Sequence, residues 1–114
     1  MQITFLHGYP DYIGKRFAWC GYGNGPASYT GGATGGDPLI FPRFDNYIDS
    51  VESTGMLSTD GTYIAFAQAT ATGARLTWNL RYFAFTTSGV GAEATNGTNL
   101  STKSFQLSGL GGVY

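Results

Sequence analysis

The stretch RLTWNLRYFAFTT, residues 75–87, is the clearest strand in the chain. Leu76, Trp78, Leu80, Tyr82 and Ala84 fall on one side of an extended backbone, and Arg75, Thr77, Asn79 and Arg81 on the other. That is a period of two, which predicts a strand with one face in a core. The alternation breaks at Phe83 and Phe85, where apolar side chains occupy both faces, so this end of the strand is predicted to be covered by something. Upstream, TYIAFAQA at 62–69 reads as a second strand, entered through the turn signal Thr59-Asp60-Gly61. Residues 70–73 are a connection of hairpin length, which pairs the two strands antiparallel.

Working outward, weaker strands are predicted at Gln2–Leu6, Arg16–Tyr22, Asn46–Val51 and Lys103–Leu107. Phe44, Tyr47, Ile48 and Val51 also fit one face of a short helix. The segment follows Pro42 without a good cap, and the strand template is preferred. Ser53-Thr54-Gly55 is a turn before Met56-Leu57. Residues 23–38 are glycine-rich and are predicted to form a long loop, a length that is usually functional or disordered. Tyr29 is then an aromatic contact point on a mobile stem. Ser88–Thr98 is another long, nearly uncharged stretch. Residues 108–114 end in Leu110, Val113 and Tyr114 on a glycine hinge, an apolar tail expected to dock on this domain or a neighbour. No internal repeat is present. The expectation is one all-β domain over residues 1–114, a small antiparallel sandwich or barrel with long glycine-rich loops.

Composition narrows the partners. Hydrophobic residues are 42% of the 114 and suffice for a core, while charged residues are only 11%, against roughly 25% in an ordinary domain. A surface so poor in charge is often partly covered by other chains. The net charge is −1 and the six basic residues are scattered, so binding to nucleic acid through a basic face is not expected. No apolar run approaches the roughly 20 residues of a membrane span, and no basic region leads into a hydrophobic stretch, so cytoplasmic synthesis without membrane association is expected. The sequons at Asn96 and Asn99 matter only in a eukaryotic secretory setting.

Chemistry-bearing residues are sparse. Cys20 is the only cysteine and lies in the apolar run Phe17–Tyr22, where a buried thiol serves as a small hydrophobe. His7 is the only histidine; one Cys and one His fall short of a metal set and of a nucleophile–base pair. Asp45, Asp49 and Glu52 are the densest carboxylates. On a strand Asp45 and Asp49 stand about 13 Å apart, too far to share a site; on a helix they would be neighbours, suited to weak calcium binding or acid–base work. The Gly-Tyr-Gly-Asn-Gly run at 21–25 lacks the lysine and spacing of a phosphate loop. No enzyme, cofactor or metal is expected.

Several phrases carry a family likeness: Gly25–Gly32 (GPASYTGG) followed by Gly35-Gly36-Asp37-Pro38, Phe44–Asp49 (FDNYID), the Ser58–Tyr63 strand entry, and the ending Asn99–Ser101 with Leu107–Tyr114. Together they resemble small virion structural proteins of tailed bacteriophages, of the capsid decoration or cement type. The resemblance implies a β-rich protein on the virion's capsid surface that self-associates, with a trimer favoured, and binds the major capsid protein without catalysis. The contact residues it suggests are Pro26, Tyr29, Leu110, Val113 and Tyr114. Repetition over a lattice would multiply weak contacts. A tail-associated or carbohydrate-binding module, using Tyr9, Tyr12, Tyr22 and Tyr29 to stack on sugars, is the alternative; an enzyme using Asp45, Asp49 or His7 is a third class.

Overall fold

The computed structural model describes residues 1–6, 11–14, 16–42, 48–51, 56–72 and 75–112. Its ten strands are β1 (Thr4–Phe5), β2 (Asp11–Ile13), β3 (Arg16–Asn24), β4 (Asp37–Pro38), β5 (Ile48–Val51), β6 (Met56–Leu57), β7 (Tyr63–Thr72), β8 (Arg75–Thr86), β9 (Gly89–Glu93) and β10 (Ser104–Gly112). They form two antiparallel five-stranded sheets packed together, a sandwich-like all-β fold. The first sheet runs β1-β3-β10-β5 with β2 also on β3; the second runs β4-β8-β7-β6 with β9 also on β8.

The β7–β8 hairpin forms as the alternation predicts, in register from Tyr63↔Ala84 to Thr72↔Arg75. Leu80 and Tyr82 point inward and are fully buried, as is Ala65 on β7. The inner face of the first sheet answers with Phe17, Trp19, Phe105 and Leu107. Edge-on aromatic contacts lock the layers: Trp19 meets Phe41 at 5.1 Å and Tyr29 meets Tyr82 at 5.3 Å between centroids. Each large apolar side chain so buried contributes about 1.5–3 kcal/mol. Among the described residues the buried indole N–H of Trp19 has no hydrogen-bond partner, a cost of about 1–3 kcal/mol left standing in the core.

The two sheets are also tied by hydrogen bonds around residues 37–40. Ile3 N donates to Ile40 O at 2.8 Å and Ile40 N to Met1 O at 2.9 Å, joining the lead into β1 to the chain leaving β4. Beneath them Asp37 is buried, accepting from the Met1 ammonium and from the Tyr82 hydroxyl, each at 2.6 Å. Burial and that carboxylate push the Tyr82 phenol far above its ordinary range. Next to them Trp78 accepts from Leu39 N at 2.8 Å through its carbonyl and donates from its indole N–H to Ile48 O at 3.0 Å, tying β8 to β5.

The C-terminal segment corrects the expectation of an apolar tail on a glycine hinge. As far as residue 112 it is the strand β10, which lies between β3 and β5. Phe105 and Leu107 point inward, and the inward positions then continue as Gly109 and Gly111, paired with Trp19 and Phe17. A Cβ on Gly111 would collide with the Phe17 ring, and one on Gly109 with Ser50 O. These glycines are therefore strand residues over which two aromatic rings and a backbone carbonyl pack closely.

The strand over 46–51 is observed at Ile48–Val51, while Asp45, Glu52, the turn at 53–55 and His7 lie outside the described residues. Asp49 is half-exposed and pairs with Arg16 at 3.1 Å. Cys20 is also corrected: the alternation that buries Trp19 turns its thiol to the outer face, half-buried, with the Gln106 amide 3.7 Å away.

Candidate functional site

Tyr29 does not stand on a mobile stem. Its ring is 1% exposed, wedged against Tyr82, so the expectation of a surface contact at Tyr29 is corrected. Residues 25–32 are held by the segment 93–103: Gly25 N donates to Lys103 O, Tyr29 N to Thr98 O, Gly97 N to Tyr29 O and Leu100 N to Pro26 O, all within 2.7–3.0 Å. Glycine-rich chain without regular structure is here ordered by a second loop.

Glu93, at the end of β9, fastens this arrangement. Its Oε2 accepts from the Tyr29 hydroxyl at 2.7 Å and from Gly32 N at 3.0 Å, while Arg81 grips both oxygens, at 3.2 and 2.7 Å. The Arg81 guanidinium, with Tyr29 and Gly32, holds the Glu93 carboxyl down at about 2. Burial, and then donation to Glu93, push the Tyr29 phenol up to about 12. The group is a structural clamp: the Glu93 carboxylate, the Tyr29 hydroxyl and the Arg81 guanidinium bond to one another, with Arg81 and Glu93 still partly exposed.

The suggested contact residues do not converge. Pro26 is half-buried and accepts from Leu100. Leu110 is 47% exposed, on the outer face of β10. Asn24 pairs with Ser104 and Ala18 with Leu110, so these ends of β10 stand about 20 Å apart by strand rise. Val113 and Tyr114 lie outside the described residues. Among the described residues no group of three His, Cys, Asp or Glu side chains could hold a metal ion.

What the fold does present is two outer sheet faces of different character. On the second sheet, Leu57, Ile64 and Phe83 stand side by side across β6, β7 and β8. Phe66 packs edge-on against Phe83 at 5.6 Å, Arg81 lies 5.5 Å over the Phe83 ring, and Phe85 pairs with Val90. Leu57 and Val90 are 46% and 52% exposed. This is an apolar strip on one sheet face, exposed at its ends, Leu57 and Val90, and half-buried at Ile64, Phe66, Phe83 and Phe85. Only half of it was marked in the sequence, by the doubled faces at Phe83 and Phe85. Ile64 and Phe66 were hidden because their strand carries apolar residues at every position from Tyr63 to Ala67.

On the first sheet, Thr4, Tyr22 and Gln106 form a row across β1, β3 and β10, beside Asn24 and Ser104. Tyr22 is 47% exposed and borders two adjoining hollows. One, of about 290 Å³, is lined by Leu6, Thr59, Ser104, Phe105 and Gln106; the other, of about 310 Å³, by Gln2, Thr4, Gly23 and Asn24. No lining residue is charged.

Comparison of the chain with protein-family models, with curated proteins and with solved structures finds no match.

Proposed function

We propose that this chain is a structural virion protein of a tailed bacteriophage that decorates or cements the capsid by binding the major capsid protein, as an oligomer and preferably a trimer. The observation that carries the proposal is the apolar strip Leu57–Ile64–Phe83 with Phe66, Phe85 and Val90, on an outer sheet face and exposed at Leu57 and Val90, in a chain only 11% charged. Contiguous exposed apolar surface of this kind marks a protein contact in a folded domain. The sequence likeness in the glycine-rich phrases points the same way. A sheet face needs no ordering on binding, which keeps the cost of association low.

Leu110 remains a contact candidate through its exposure, on the other face; Pro26 contributes through the loop it holds. The test is co-sedimentation of the purified protein with capsids, alongside Leu57→Asp and Val90→Asp. Wild-type protein is expected to pellet with the shells and each variant to bind at least about tenfold more weakly. Failure of the wild type to pellet, or equal binding by the variants, would overturn the proposal. Light scattering of the free protein at a monomer mass would remove the trimer.

A further inference from the structure

Tyr22 is an exposed aromatic ring set among hydroxyl and amide side chains, with no charged residue in the lining of either hollow. It stands on β3, which is hydrogen-bonded on one side to β1 and on the other to β10, so ring and neighbours are held in place before any ligand arrives. The flanking amides are oriented. Ser104 Oγ donates to Asn24 Oδ1 at 2.8 Å, which leaves the Asn24 amide N–H groups free to donate. The Gln106 amide nitrogen is turned to Cys20 Sγ, which leaves Gln106 Oε1 free to accept. The side chains of Gln2 and Thr4 make no hydrogen bond to another described residue.

An aromatic platform with a free donor on one side and a free acceptor on the other matches a particular chemistry. A sugar ring offers an apolar face of C–H groups for the aromatic ring and a rim of hydroxyls, each both donor and acceptor, for the amides. A nucleic acid would also stack, but its phosphates require Lys or Arg and the lining has none; nearby Lys103 is engaged by Asp60 at 2.6 Å. An apolar ligand would leave the amides and hydroxyls unpaired, at a cost. Each hollow lies at the lower end of the roughly 300–1,000 Å³ range of small-molecule sites, suited to one or two sugar units.

We propose that the trough on either side of Tyr22 is a binding site for a neutral saccharide, with the ring stacked on a pyranose and Asn24, Gln106 and Thr4 bonding its hydroxyls. It lies on the sheet opposite the apolar strip, so it is independent of capsid attachment, and a particle could use both faces together.

The test is titration of the ¹⁵N-labelled full chain with neutral gluco-, manno- and N-acetylglucosamine oligosaccharides, followed by amide resonances. At least one is expected to shift Thr4, Tyr22, Asn24 and Gln106 saturably. Tyr22→Ala should weaken that binding at least about tenfold while keeping a dispersed spectrum, and Tyr22→Trp should retain it. Should Tyr22→Ala lose its fold, Gln106→Ala carries the same expectation. The proposal is overturned if none of the oligosaccharides shifts these residues at millimolar concentration, if the shifts map elsewhere, or if Tyr22→Ala binds as wild type does. Preference for an acidic oligosaccharide or a single-stranded oligonucleotide at this trough would overturn it equally.

Discussion

Glu93 is where a single side chain organises the most surrounding chain, since it fixes Arg81, the buried Tyr29 hydroxyl and the backbone of Gly32 at once. Its replacement by Gln removes the charge from a half-exposed ion pair and weakens donation from Tyr29, an expected loss of about 1–2 kcal/mol after allowing for solvent screening. The clamp's own pH dependence follows from Glu93 and Tyr29, while Asp60, held low by Lys103, Thr62 and Ser58, adds to the acid limb. Glu93 titrates near 2 when folded, below the ordinary 4.5, so its stabilisation is complete above about 4.5 and is lost as pH falls through 2. Tyr29 titrates near 12 rather than 10, so its contribution is complete below 10 and is lost as pH rises through 12. Melting temperature against pH should therefore fall at both ends. Glu93→Gln is expected to flatten the acid limb and Tyr29→Phe to reduce the alkaline limb, with Tyr82 supplying what remains of the latter. An acid limb of unchanged steepness in Glu93→Gln would remove the clamp.

At the scale of the element, β10 does what its composition conceals. Introducing a methyl at Gly111 forces the Phe17 ring to move, and Gly111→Ala is expected to cost about 1–3 kcal/mol, read as a lower denaturation midpoint at unchanged slope. Deleting residues 109–114 removes the partner of Arg16–Trp19 and of β5, and should abolish cooperative unfolding instead of merely freeing a tail. A deletion variant that melts like the intact chain would refute this placement. The contrast with the β7–β8 hairpin explains what could be read beforehand. Leu76, Trp78, Leu80 and Tyr82 announce the buried face of β8 because four successive inward positions carry a large side chain. In β10 the same period of two runs on through Gly109 and Gly111, where the bulk is supplied by Trp19 and Phe17 across the strand, so no single-strand pattern reveals it. Tyr29 was misplaced for a similar reason. Its burial depends on Tyr82 and Glu93, both more than fifty residues away in sequence.

On the whole molecule, the sandwich sets an apolar strip and a neutral polar trough on opposite faces. The candidate surfaces were legible only in part: Phe83 and Phe85 stood out by breaking the alternation, and Tyr22 and Leu110 as suggested contact residues, but which face each occupies follows from register across strands. Leu57→Asp and Val90→Asp touch only the open strip, so each is expected to change stability by less than about 1 kcal/mol while disabling attachment. That separation of binding from folding distinguishes a docking face from an ordinary exposed patch. The most direct measurement is cryo-electron microscopy of capsids mixed with the purified protein, wild type and Val90→Asp in parallel. The account predicts ordered density on the icosahedral lattice with the β6–β9 face against the shell, absent for Val90→Asp. A bare shell with wild-type protein, density confined to the tail, or a bound protein whose β6–β9 face points to solvent would contradict it.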